Sequence, residues 1–209
     1  MKMPGLFQNI LSRIQKRESP KERYIRLFET TIREVNQAEM FIALMKIKIN
    51  TSDWYSTLNS SISSDIARHG TFNAVSHEIE NIYQNPKEIN ATKYHRYFIC
   101  LSQNTPVGIM TFVPGGSSFF NESSSKIGFM LTHPGSHGCG SLLVEKAVEL
   151  LTEDELLVSA KPYSVPFYKN LGFEQYGINS ANTTSMRLTP SESEKWVFSG
   201  THYRLRQYI

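Results

Sequence analysis

Cysteine is scarce in this chain: two residues in 209, Cys100 and Cys139. That count excludes a disulfide-stapled scaffold, and the two read as free thiols of a reducing compartment. Long apolar runs are missing as well. Nothing approaches the roughly 18 consecutive apolar residues of a membrane-spanning helix, and the first residues lack the long apolar region of a secretory signal. The expected location is therefore cytoplasmic. Strong charge imbalance is also absent, since 22 Lys and Arg face 19 Asp and Glu for a net +3. No nucleic-acid partner is expected on that balance. Two phosphate-binding signatures are lacking: there is no G-x-x-x-x-G-K-[ST], and the run Gly138-Cys139-Gly140-Ser141-Leu142-Leu143 has no third glycine to complete G-x-G-x-x-G.

What is present supports one domain with extensions. Hydrophobic residues make up 40% of the chain, enough for a sizeable core. Residues 1–26 carry seven Lys or Arg against two Glu. Within them Leu6, Phe7, Ile10, Leu11 and Ile14 fall at helical spacing beside Lys2, Arg13, Lys16 and Arg17. Residues 1–17 read either as a delivery or membrane-surface segment or, more plainly, as a terminal arm that docks locally. Lys21–Gln37 reads as a helix with Ile25, Phe28, Ile32 and Val35 on one stripe. In Met45–Ile49 apolar and charged residues alternate, the pattern of a half-buried strand. Helices are expected over Trp54–Arg68, stopped by Gly70, and over Phe72–Gln84, ending at Asn85-Pro86. From His95 the pattern turns to β, with a hairpin of Tyr97–Leu101 and Val107–Val113 about Asn104-Thr105-Pro106. Thr184–Leu188 is a further strand, and the tail from Ser191 carries Trp196, Phe198, Tyr203 and Tyr208, too aromatic for a disordered end.

The most structured stretch is Lys126–Gly177. An apolar run, Ile127–Leu131, enters a turn rich in Gly, Pro and His. A helix, Ser141–Leu151, follows with Leu143, Ala147, Leu150 and Leu151 at i, i+4, i+7 and i+8, and then a second apolar run, Leu156–Ala160. This is one βαβ unit. The turn Gly135–Ser141 lies between strand end and helix start, where glycines admit close approach and the helix's first N–H groups point outward. It is either a plain tight turn or an anion site suited to phosphate.

The unit's second half, SVPFYKNLGFEQYG, together with THPGSHGCGSLLVEKAVELL and the hairpin RYFICLSQNTPVGIMTF, resembles the GCN5-related N-acetyltransferase (GNAT) superfamily. The resemblance covers roughly Met40–Leu188 and is most specific at PFYKNLGF. It implies an α+β fold, with a mixed, partly antiparallel central sheet and helices on both faces. It also implies a division into a basic, helical extension (1–38), the acetyltransferase domain (39–190) and an aromatic extension (191–209). The implied reaction is direct acetyl transfer from acetyl-CoA to an amine of a protein, peptide or small molecule. A catalytically weak module acting by CoA sensing or protein contact is the alternative.

By the same resemblance, Met130, Leu131 and Thr132 pair with the pantetheine arm, while Ser136, His137, Gly138, Cys139, Gly140 and Ser141 hold the pyrophosphate. Tyr168 matches the tyrosine that protonates the leaving thiolate; the plainer reading is an aromatic packing the helix onto the sheet. Two departures stand out. Gly135 occupies the place of the usual Gln or Arg in a turn about two residues shorter than common, and Lys161 replaces an Asn that contacts the cofactor. Lys161 then pairs with a phosphate or is simply a solvated residue. Glu122, His133 and His137 are the candidates for a base, with water-mediated deprotonation as the default. His133, His137 and Cys139 lie close in sequence but lack a fourth ligand, so no metal is expected. The acids Asp65, Glu78 and Glu80 are expected near the acceptor, either steering a cationic amine or lying on a solvated face. The aromatic tail would cover that site or form a homodimer contact.

Overall fold

The computed structural model describes residues 30–57, 63–84, 94–116, 124–179 and 183–208. The chain order is β1 (Thr30–Val35), α1 (Gln37–Thr57), α2 (Ser63–Gln84), β2 (Arg96–Ser102), β3 (Thr105–Val113), β4 (Ser125–Thr132), α3 (Cys139–Glu149), β5 (Leu156–Ala160), α4 (Val165–Asn170), β6 (Glu174–Asn179) and β7 (Thr183–Leu188). A small hairpin closes it, β8 (Trp196–Phe198) with β9 (Tyr203–Leu205). Seven strands form one sheet in the order β1-β2-β3-β4-β5-β7-β6. Every neighbouring pair is antiparallel except β4 with β5.

The hairpin β2–β3 explains the layering. Successive strand residues face opposite sides of a sheet. Phe98, Cys100, Met110 and Phe112 enter one core with Leu143, Val144 and Ala147 of α3. Tyr97, Ile99 and Ile109 enter a second core with Met40, Leu44 and Ile47 of α1 and Phe72, Ile79 and Tyr83 of α2. Helices thus cover both faces of the sheet. The turn between the strands places Gln103 and Asn104 at φ 48° and 64°, the left-handed pair that closes a two-residue hairpin.

Three expectations are corrected. Residues 30–35 form an edge strand, not the end of a helix; the preceding part of that helix lies outside the described residues. Thr30, Thr31, Ile32 and Val35 are β-branched, which favours extended chain. Glu34 also ties this strand to its neighbour, accepting a bidentate pair from Arg96 at 2.8 and 2.7 Å. Met45–Ile49 is helix, the middle of α1. The stripe that decides it is Met40, Ala43, Leu44, Ile47 and Thr51, all buried, whereas Ile49 is 63% exposed. Asn36 and Glu39 cap the start reciprocally, at 2.9 and 3.1 Å, as in a capping box. Gly70 does not end a helix either; it lies inside α2. A side chain there would meet nothing within 4 Å, so its cost is the ~1 kcal/mol of an exposed helical glycine. Burial of Phe72, Ser76, Ile79 and Tyr83 along the same helix outweighs it.

The aromatic tail folds back on the main core. Trp196 and Leu205 are buried in it. The Trp196 indole N–H donates to the Leu171 carbonyl at 2.8 Å, and the Leu205 N–H donates to Glu145 Oε2 of α3 at 3.1 Å.

Candidate active site

The site begins with an irregularity in β4. Along β3–β4 the pairs run Gly108 with Thr132, Ile109 with Leu131 and Met110 with Met130, and then Phe112 with Ile127. Two steps on β3 therefore oppose three on β4, so Gly128–Phe129 is a bulge. Thr111 stabilises it from beneath: its Oγ1 accepts the Phe129 N–H at 2.7 Å. Gly128 is required there, because a Cβ would stand 2.6 Å from that same oxygen. Beyond the bulge the parallel partner is lost. β4 and β5 pair only from Ser125 with Leu156 to Ile127 with Val158, although β4 runs on to Thr132 and β5 to Ala160. The two strand ends diverge and open a cleft of about 790 Å³, within the size range of ligand sites.

At the end of β4 the chain makes a compact turn. His133 N–H bonds the Val107 carbonyl at 2.8 Å, and the His133 carbonyl accepts both Ser136 N–H at 2.9 Å and Ser136 Oγ at 2.7 Å. Gly135 N–H donates to His133 Nδ1 at 3.1 Å. Gly138 then caps α3 at φ 86° with no side-chain cap bond. The amides of the first turn of α3 face the cleft mouth without a capping oxygen, and with the helix dipole they favour an anion.

The floor is α4. Pro166 sits in its first turn, and a left-handed Gly172 at φ 90° returns the chain so that Phe173 N–H reaches the Tyr168 carbonyl at 3.1 Å. The Tyr168 ring is buried edge-to-face against Phe173 and Phe167, at centroid distances of 5.2 and 5.0 Å, and lines the cleft. Burial pushes its hydroxyl pKa well above the ordinary tyrosine value, so it holds its proton at neutral pH.

The structure brings most of the expected residues together. Met130, Leu131, Thr132, Ser136, His137, Gly138, Gly140, Ser141, Lys161 and Tyr168 all line this one cleft. Cys139 is not among them: its side chain turns into the core against Cys100, and only its backbone faces the turn. The Cys100 thiol and burial together hold the Cys139 thiol well above its usual pKa. His133 is half-buried under the turn, and burial lowers its pKa. Glu122 lies outside the described residues. Among the described residues no three His, Cys, Asp or Glu come together as a metal site.

Lys161 lines the cleft with its side chain partly exposed and already has a partner there. Its Nζ stands 3.1 Å from Glu78 Oε2 of α2, across the cleft. Composition could not show how α2 forms the opposite wall. Arg68, Thr71, Phe72, Val75 and Glu78 line the cleft at helical spacing, a stripe hidden by taking Gly70 as a stop. Thr111 was also missed, since its task exists only once the bulge exists.

No family sequence model matches this chain, and no curated protein matches it. Among solved structures, a GCN5-related N-acetyltransferase of Rhodopseudomonas palustris matches over 77% of this chain and 95% of its own, with 14% identity and a TM-score of 0.51. An acetyltransferase of Thermus thermophilus matches over 76% and 95%, with 13% identity and a TM-score of 0.47. The N-acetyltransferase PseH of Campylobacter jejuni matches over 77% and 98%, with 16% identity and a TM-score of 0.43. At such identities the likeness speaks to the fold.

Proposed function

We propose that this chain, whose fold is that of the GCN5-related N-acetyltransferases, transfers an acetyl group from acetyl-CoA to a primary amine. The observation that carries the reading is the wedge between β4 and β5, which joins the uncapped start of α3 at one end to Tyr168 at its floor. The residues present suit such a co-substrate. In this reading the strand edge at Met130–Thr132 would take the extended arm, and the amides of Gly138–Ser141 the pyrophosphate. The acetyl-CoA supplies an activated thioester.

In the reaction the amine nitrogen forms a bond to the acetyl carbon, the carbon–sulfur bond breaks, and the electron pair leaves on sulfur. Tyr168 keeps its proton until negative charge develops beside it, then donates it, and a positioned donor of this kind is worth about 10²–10⁴ in rate. The amine loses its proton to solvent through the cleft.

Isothermal titration of the full chain with acetyl-CoA tests the first step, and mass spectrometry of a lysine-rich peptide incubated with both tests the second. No binding at millimolar acetyl-CoA sinks the proposal. One observation favours the alternative of a non-catalytic module: Gly135 gives the turn no cationic side chain, and its N–H is committed to His133. Measurable transfer to any offered amine rejects that alternative.

A further inference from the structure

We infer that Glu78 is the receptor for a cationic group of the acceptor, and that Lys161 of the same chain occupies it in the free protein. This rests on the acetyltransferase reading of the cleft. Glu78 is the one carboxylate among the described residues that line it. It sits on the wall formed by α2, opposite the strand ends, with Thr71, Phe72 and Val75 leading to it along the helix. A carboxylate at that place repels a phosphate and attracts an ammonium ion. The chain supplies its own ammonium: the Lys161 side chain crosses from the end of β5 to place Nζ 3.1 Å from Glu78 Oε2.

The pair is half-exposed, with side-chain exposures of 38% and 42%. Such exposed pairs are weak and exchangeable, so a better-seated cation can take over the carboxylate and release Lys161 to water. The Tyr163 ring borders the pair closely enough for its hydroxyl to feel both charges, Lys161 lowering its pKa and Glu78 raising it, with burial the larger influence. Its exposed ring offers an incoming ammonium a π face. Arg68, also on α2 and ten residues away, lines the other end of the wall. At 1.5 Å per residue the two lie about 15 Å apart along the helix. The cleft is therefore charge-polarised, and an acceptor is oriented with its cation toward Glu78.

The test is equilibrium binding of 1,5-diaminopentane to the full chain by calorimetry, with 1,5-pentanediol as the neutral counterpart. Wild type binds the diamine and not the diol. Glu78→Gln weakens diamine binding about fivefold to tenfold, the scale of one partly solvated charge-assisted contact. Lys161→Met tightens it about threefold or more, because the resident competitor is gone. The double variant matches Glu78→Gln. Circular dichroism confirms that each variant is folded, and the opposite signs of the two single variants cannot arise from general damage. Equal binding of diamine to wild type and Glu78→Gln, or no diamine binding at all, overturns the inference. So does a Lys161→Met protein that loses acetyl-CoA affinity while its diamine affinity stays unchanged, since Lys161 would then serve the co-substrate. Failure of wild type to bind acetyl-CoA sinks the transferase reading instead, and the two failures are thereby distinguished.

Discussion

Replacing Thr111 with Val isolates the bulge that opens the cleft. The two side chains have nearly the same shape, so the substitution removes a hydroxyl without emptying the 1%-exposed position. Two partners are affected. The Phe129 N–H loses its acceptor at 2.7 Å, and an orphaned, partly buried donor costs about 1–3 kcal/mol. The Tyr83 hydroxyl also loses its bond to Thr111. It keeps His95 Nδ1 at 3.0 Å, which limits that loss to the net value of one hydrogen bond, about 1 kcal/mol. The sum is about 2–4 kcal/mol, and for a chain of this size each kcal/mol lowers Tm by about 2–4 °C. Thermal denaturation of Thr111→Val should therefore show Tm lower by roughly 4–16 °C, with faster hydrogen exchange concentrated at the Phe129 amide. Acetyl-CoA affinity should fall along with it, because the divergence of β4 from β5 begins at the bulge. A Tm within one degree of wild type and an unchanged Phe129 exchange rate would refute the account, since the hydroxyl would then not be holding the strand.

Other substitutions probe separate parts. Tyr168→Phe should lower kcat by about 10²–10⁴ while shifting KM for acetyl-CoA and Tm only slightly; steady-state kinetics that show a loss under threefold assign the ring a packing role only. His95 is held neutral by burial, with its pKa lowered to about 4. Its folded-state pKa lies below the unfolded value of 6.5, so the unfolded chain binds more protons between them. Stability is thus full above pH 6.5 and declines as pH falls toward about 4, and urea melts across that window should show a shallower decline in His95→Gln. Trp196→Phe leaves the Leu171 carbonyl without its buried donor and should cost about 1–3 kcal/mol, read as a lower urea midpoint; an unchanged midpoint would detach the tail from the fold's stability.

Much of this was legible because the decisive patterns were local. The hairpin, β4, α3, β5 and α4 each carry a period or a turn signal of their own, and PFYKNLGF placed Tyr168 where it lines the cleft. The misreadings arose where two periods share the same residues. Met45–Ile49 alternates like a strand, yet its neighbours Met40, Ala43 and Leu44 complete a helical stripe. Thr30–Val35 continues a helical apolar stripe at Ile32 and Val35, but its β-branched residues favour extended chain and Glu34 pairs with Arg96 of the neighbouring strand, more than sixty residues away. The Lys161–Glu78 pair joins residues 83 apart and depends on where α2 crosses the sheet. No one-dimensional pattern could announce it.

The adjacency of Cys100 and Cys139 has a practical consequence. The chain's two sulfhydryls sit on opposite sides of one interface, β2 beneath and α3 above. Both are at most 4% exposed, and neither thiol is placed to react while the interface is closed. An aromatic disulfide reagent therefore labels only molecules in which the helix has lifted off the hairpin. Labelling rates then count those openings directly, and the protein carries a built-in clock for its own breathing beneath the start of α3.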